Sequence, residues 1–310
     1  MPKTAFCVFA VLLAAIGSGA VKADPALRRE TPPAATDKPL PPPQMTPSAA
    51  SKGEQKSEQT PDPAKAAQAI KDGLRALDQK AYQKALSAFT EAFNFGEPEG
   101  AFYLGRMVEL GVGVQADFEK ARVLYRSAAD KGSAKAMNRL GLMAWRGESQ
   151  LQDYKAAGEL ICKAADKGDA DALFNCGGLY AEGKGVDKNM AKAISLYERA
   201  ASQGHIGALN ALGFAYANGV GVTADPVKAR AAFERSAAKG NPVGLYELGA
   251  AYEKGGPPPR DLGKAHLYYN LAAARRHPDA PSALQRVSAL MTADEIAGAQ
   301  AAAKAWKATP

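Results

Sequence analysis

The chain has 310 residues, 46% apolar but only 7% aromatic, which suits a folded chain and excludes a wholly disordered one. Its formal charge of +7 is mild and carries no dense basic run, so an electrostatic case for nucleic-acid binding is excluded. Much of the apolar share is alanine, which favours tightly packed helices.

The first segment has the form of a targeting signal. Lys3 supplies a positive start, Ala5–Gly17 an apolar stretch, and Val21-Lys22-Ala23 the small residues a signal peptidase reads. Cleavage after Ala23 is expected, giving a periplasmic or secreted protein that starts at Asp24 and has no membrane insertion. An uncleaved inner-membrane anchor is the alternative, since 17 residues from Ala5 to Val21 reach the lower limit for a span. Removing Lys3 and Lys22 leaves 37 basic against 32 acidic side chains, a net +5. It also removes Cys7 and leaves Cys162 and Cys176, two thiols that in an exported protein invite a disulfide.

Asp24–Pro63 holds ten of the chain's 20 prolines and almost no large apolar residues. Such a segment cannot bury enough surface to offset its ordering entropy, and a disordered linker over 24–63 is expected.

From Gly100 onward the chain has a period of 36 residues. Gly105, Gly141, Gly177, Gly213 and Gly249 form one column; Gly111, Gly147, Gly183, Gly219 and Gly255 another; Asp117, Asp153, Asn189, Asp225 and Asp261 a third. The first column is expected mid-helix, where glycine costs about 1 kcal/mol and implies packing too close for a Cβ. The second should end that helix in the left-handed cap and the third should N-cap the next. Each unit therefore reads as helix A, loop, helix B and turn. Repetition also settles Gly219-Val220-Gly221-Val222. With Lys228 it could be read as a phosphate loop, but it recurs at Gly111-Val112-Gly113-Val114 and Gly183-Lys184-Gly185-Val186. A phosphate loop follows a strand and occurs once, so this one is a connector.

Together with the alanines at the 121 and 129 columns, these residues resemble the Sel1-like repeat, a relative of the tetratricopeptide repeat. Ala208–Gly240 fits that pattern closely, and five units over 100–280 match. Arg146–Asp153 lacks the second loop glycine. The last unit has Gly256-Pro257-Pro258-Pro259 in its loop and Arg276 at the turn-glycine position. A degenerate, tetratricopeptide-like unit is expected over 64–99, with a shorter inter-helix loop. Residues 281–310 read as C-terminal capping helices, the last started by a capping box at Thr292-Ala293-Asp294-Glu295. The expected fold is an all-α solenoid of about six helix pairs. The resemblance implies a right-handed superhelix.

Chemistry is scarce. His205, His266 and His277 lack metal-ligand spacing, and no metal, cofactor or catalytic residue is expected. Ser236-Ala237-Ala238-Lys239 matches the S-x-x-K of penicillin-recognising enzymes, and some Sel1-like relatives have been linked to β-lactam binding. A β-lactam-binding or hydrolysing enzyme is thus the rival class. The partner motifs S-D-N and K-T-G are missing, and position 236 shares its column with Ala128, Ala164 and Ala200. Relatives with a disulfide across this turn carry it at positions matching Ala165 and Ala172; Cys162 and Cys176 lie one helical turn further out. A bridge and two separate thiols both remain open.

The resemblance implies recognition on a concave face of helix A. Positions −3, +1 and +4 from the Gly105 column should line it. These are Phe102, Asn138, Phe174, Asn210 and Tyr246; Arg106, Leu142, Gly178, Phe214 and Ala250; and Glu109, Trp145, Ala181, Ala217 and Glu253. They vary where the frame is uniform. Asparagines can hold a peptide backbone and Trp145 and Phe214 can anchor it, although the −3 aromatics could instead pack on neighbouring helices. The expected molecule is a monomeric, exported, non-catalytic scaffold for a protein or peptide, serving envelope assembly, regulation or host contact.

Overall fold

A computed structural model describes residues 61–148, 151–256 and 258–309. The expected leader, its cleavage site and the proline-rich segment lie outside the described residues, apart from 61–63. Among the described residues there are fourteen helices and no strand. In chain order they are α1 (Pro63–Asp78), α2 (Tyr82–Asn94), α3 (Pro98–Leu110), α4 (Phe118–Asp130), α5 (Ala134–Arg146), α6 (Tyr154–Asp166), α7 (Ala170–Glu182), α8 (Met190–Ser202), α9 (Ile206–Asn218), α10 (Pro226–Ala238), α11 (Pro242–Lys254), α12 (Leu262–Ala274), α13 (Ala280–Ser288) and α14 (Ala293–Ala305). The fold is an all-α solenoid of helical hairpins. Two compact units divide it, one ending at Ala172 and one starting at Leu173.

Helices α3 to α12 are each 13 residues long. Isolated helices of that length are marginal in water, so packing between neighbours must hold them. Within each unit consecutive helices pack side by side: α1 to α6 in the first, and α8 to α13 in the second, where α14 also lies on α12. The first core gathers Leu77, Leu86, Phe89, Tyr103, Leu104 and Met107. In the second, Phe233, Leu245, Leu248 and Leu271 form one cluster, and Tyr269 and Val287 belong to another.

The repeat columns do what their chemistry demands. A Cβ added at Gly105 would stand 2.7 Å from the Tyr125 ring, and one at Gly249 2.7 Å from the Tyr269 ring. Ile161, Tyr197 and Phe233 fill the same space under Gly141, Gly177 and Gly213. Gly111, Gly147 and Gly219 take the left-handed cap, with φ of 67°, 67° and 68°. Gly255 departs from them: its φ is 76° but its ψ is 176°. The Gly-Pro-Pro-Pro run offers fewer N–H groups to close the loop, and a proline restricts the residue before it. The turn after α12 has no glycine, and Arg276 takes the positive φ, 63°, in its place. The hairpin α1–α2 is joined by residues 79–81, whereas 111–117 join α3 to α4. Its shorter turn puts Lys80 at φ 57°.

All five residues of the Asp117 column are N-caps, accepting from the backbone N–H three residues on at 2.9–3.0 Å. Asp117→Ala is expected to lower stability by about 1 kcal/mol with the helices intact, measurable as a shifted urea midpoint at unchanged slope. The structure adds a second capping column. Ser133, Asp169, His205 and Asn241 accept from backbone N–H groups that open the A helices. His205 does so through Nδ1 at 3.1 Å from Ala208 N. The capping box at Thr292 is formed, with Thr292 N donating to Glu295 at 2.8 Å and Glu295 N to Thr292 at 3.3 Å.

Candidate functional site

The −3 aromatics are packing residues. The ring under each mid-helix glycine lies beside them: Phe102 is 5.8 Å from Tyr125, Phe174 5.6 Å from Tyr197, and Tyr246 5.3 Å from Tyr269. Phe174 also stacks on His205 at 4.6 Å, and Tyr246 on His277 at 4.2 Å with the rings 8° apart. Phe174 is buried, while Phe102 and Tyr246 stay half-exposed. The asparagines are committed as well. Asn138 is buried. Asn210 donates to Asn241 at 3.1 Å and accepts from the Ser236 hydroxyl at 2.6 Å, which ties α9 to α10 and to the cap of α11. These contacts take up amide groups expected to face a peptide.

Trp145 corrects the expectation most clearly. Expected as a presented anchor, it is instead 8% exposed and meets Tyr154 edge-on at 4.7 Å. Leu142, Gly178 and Ala181 are also buried. Phe214 is half-exposed, edge-on to Phe233 at 5.2 Å, Ala250 is half-buried and Ala217 is exposed.

Arg106 and Glu109 form the heart of a buried ion network within the unit ending at Ala172. Arg106 Nη1 donates to Glu109 Oε2 at 2.9 Å. Arg139, 30 residues on, gives Glu109 two bonds, from Nε at 2.9 Å and from Nη2 at 2.7 Å. The Tyr125 hydroxyl donates to the same carboxylate. Arg139 Nη2 also reaches Glu148 at 2.6 Å, and Arg146 reaches Glu148 at 3.2 Å. Burial pushes the Glu109 carboxyl up, but bonding to Arg139 and the charge of Arg106 outweigh it and hold the group down at about 2. Burial and the Glu109 charge push the Tyr125 hydroxyl well above its ordinary value. Arg139, Arg146 and Glu148 were not among the expected groove positions. The available signal was a basic residue at 139, where other repeats carry Tyr103, Asn175, Ala211 and Glu247. In the other unit Glu253 is held by Arg286, at 2.7 Å to each oxygen, and by the Tyr269 hydroxyl at 2.7 Å. The bond from Arg286 lowers its carboxyl.

The remaining motifs are structural. Lys228, the would-be phosphate lysine, pairs with Asp225 and lies over the Tyr216 ring at 5.3 Å. Gly221 backs onto Met190, as Gly113 backs onto Tyr82. Ser236 of the S-x-x-K match is fully buried and its hydroxyl is bonded to Asn210, so this serine is not presented to solvent. Cys162 and Cys176 are each disulfide-bonded. No group of three or more potential metal ligands occurs among the described residues. No helix among them is long and apolar enough to cross a membrane.

The repeat frame is decisive when set beside known families: the Sel1 repeat model matches residues 98–133, 134–169, 170–205, 206–241 and 242–277, more than half of the chain. The chain belongs to the Sel1 repeat family. Each matched repeat begins at the first residue of a helix A. Sel1 repeat proteins are in general non-catalytic scaffolds for protein interaction. Solved structures are similar, and two serve as examples. One is a Sel1 repeat protein from Oxalobacter formigenes, at 27% identity and TM-score 0.58, covering 77% of this chain and 72% of that one. The other is c5321, a protective antigen present in uropathogenic Escherichia coli strains and displaying an SLR fold. It is 26% identical at TM-score 0.60, over 78% of this chain and 53% of that one. The present chain thus matches about half the length of the antigen. No curated protein matches it.

Proposed function

We propose that this Sel1 repeat protein is an exported, non-catalytic scaffold that holds a protein or peptide on the face formed by the first helix of each hairpin. The observation that carries this reading is the contrast between frame and face. The capping and glycine columns repeat from unit to unit, whereas the helix A positions change character: arginine, leucine, glycine, phenylalanine and alanine follow one another at the +1 column. Uniform capping and packing fix the helices and enclose Arg106, Leu142 and Gly178, so of this column Phe214 and Ala250, both partly exposed, are the side chains that reach a partner. Phe214, half-exposed, is a better placed contact than the enclosed Trp145. The leader-like Met1–Ala23 supports action in the periplasm or outside the cell.

The test is photocrosslinking in the native compartment from position 214. Ala231, exposed on α10, serves as the outer-face control. A discrete adduct from 214 and none from 231 is the expected result. Equal labelling from both positions, or none from 214, overturns the reading.

A further inference from the structure

We propose that the arginine cluster between α3 and α5 is a carboxylate-binding subsite, held in the unbound chain by Glu148 and taken over by a carboxylate of the partner peptide. This rests on the scaffold reading above and names the partner's chemistry.

The cluster is unbalanced in charge. Arg106, Arg139 and Arg146 bring three guanidinium groups, and Glu109 and Glu148 two carboxylates. One positive charge is left over in a cluster whose centre is buried: Arg106, Glu109 and Arg139 are all enclosed. Buried charge is costly unless matched.

The geometry shows where the match is incomplete. Arg139 has two bidentate edges. Its Nε–Nη2 edge is filled by Glu109, with both bonds made. On its Nη1–Nη2 edge, Glu148 bonds Nη2 alone. Nη1 is buried and has no hydrogen-bond partner among the described residues. Arg139 is itself only 6% exposed, so bulk water does not make up the difference. A guanidinium fork is shaped to take both oxygens of one carboxylate. Glu148 cannot give both, because its other oxygen is turned to Arg146 at 3.2 Å. An incoming carboxylate could bond Nη1 and Nη2 together and leave Glu148 with Arg146.

Access is on the Glu148 side. Arg146 and Glu148 side chains are each 26% exposed, against 7% for Arg139. Glu148 follows the cap glycine Gly147 and opens the connector that lacks the second loop glycine. In the same column the other repeats carry Val112, Lys184, Val220 and Gly256. The excess of one charge fits a carboxylate monoanion. A phosphate dianion would turn the sign of the buried cluster while Glu109 stays ionised.

The experiment follows the arginine Nε–Hε NMR signals of the ¹⁵N-labelled protein. Acetate, acetamide and inorganic phosphate are titrated into the wild type, Glu148→Gln and Arg146→Gln. Saturable acetate shifts at Arg139 are expected, with binding about tenfold tighter in Glu148→Gln and weaker in Arg146→Gln. Acetamide should leave the signals in place. Acetyl-Ala-Leu with a free terminus, its amide, and acetyl-Asp-Leu-amide then tell a terminal from a side-chain carboxylate; competition by either acid supports the site. No acetate shift in wild type and Glu148→Gln overturns it, as does equal response to acetamide or stronger binding of phosphate. Both substituted side chains are partly exposed, and far-UV circular dichroism checks that the variants fold. A captured partner whose binding ignores both substitutions would sink the subsite and leave the scaffold standing.

Discussion

Replacing Glu109 by glutamine is expected to lower stability by about 3–5 kcal/mol, the range for removing one partner of a buried ion pair. Glutamine keeps the shape of the side chain but not its charge. Arg106, Arg139 and the Tyr125 hydroxyl all donate to Glu109, so the variant strands two buried guanidinium groups. Glu148 remains as their only carboxylate in the network, and it is shared with Arg146. The pH dependence has the same origin. Folding lowers the Glu109 carboxyl from 4.5 to about 2. A depressed carboxyl stabilises the fold fully above its unfolded value, and that contribution is lost as pH falls from there through the folded value. The stake is about 3 kcal/mol. Urea unfolding followed by far-UV circular dichroism at about pH 7 and about pH 3 reads about 2 kcal/mol of it, since pH 3 still lies above the folded value. The wild type should lose stability between the two conditions, and Glu109→Gln should lack that component. A variant within about 1 kcal/mol of wild type at neutral pH would show that the network is dispensable.

The frame was legible because each of its residues has one physical job and repeats it five times. Glycine at 105 and its column mates could be assigned to a close approach before the ring of Tyr125 or Tyr269 was known to supply it. The Asp117 column could be assigned to caps because an acidic or amide side chain there meets free N–H groups. Where a repeat lacked its glycine the fold still took the same turn, with Arg276 adopting the positive φ. The face was less legible. Adjacent helical positions differ by about 100° in direction, so a small change in packing decides whether a side chain is enclosed. Trp145 is enclosed because Tyr154 stands beside it. Asn210 is spent on Ser236 and Asn241, partners 26 and 31 residues away. Arg106 and Glu109 read as solvent-facing because charge is seldom buried. Arg139, 30 residues on, makes their burial workable, and spacing within one helix does not reveal it.

Gly100→Ala and Gly298→Ala should change stability in opposite directions, although both replace a helical glycine. Alanine gains about 1 kcal/mol over glycine in a helix interior. At Gly298 on α14 an added Cβ meets nothing within 4 Å, so this gain is expected to appear nearly in full. At Gly100 on α3 the Cβ would stand 2.5 Å from the carbonyl oxygen of Phe89 and 2.6 Å from the amide nitrogen of Phe93. These are backbone atoms of α2 and cannot rotate away; the two helices must separate. Overpacking of this kind costs about 1–3 kcal/mol and here should exceed the propensity gain. The other repeats show what separation allows. Ala136, Ala172 and Ala208 occupy the same column, and the residue corresponding to Phe93 is then Ala129, Ala165 or Ala201. Gly244 repeats the tight case, its Cβ position lying 2.7 Å from the amide nitrogen of Ala237. Thermal unfolding of the two variants beside wild type decides the matter: a Gly100→Ala protein as stable as wild type would mean that α2 and α3 are free to move apart, and that the glycine is there for some reason other than contact.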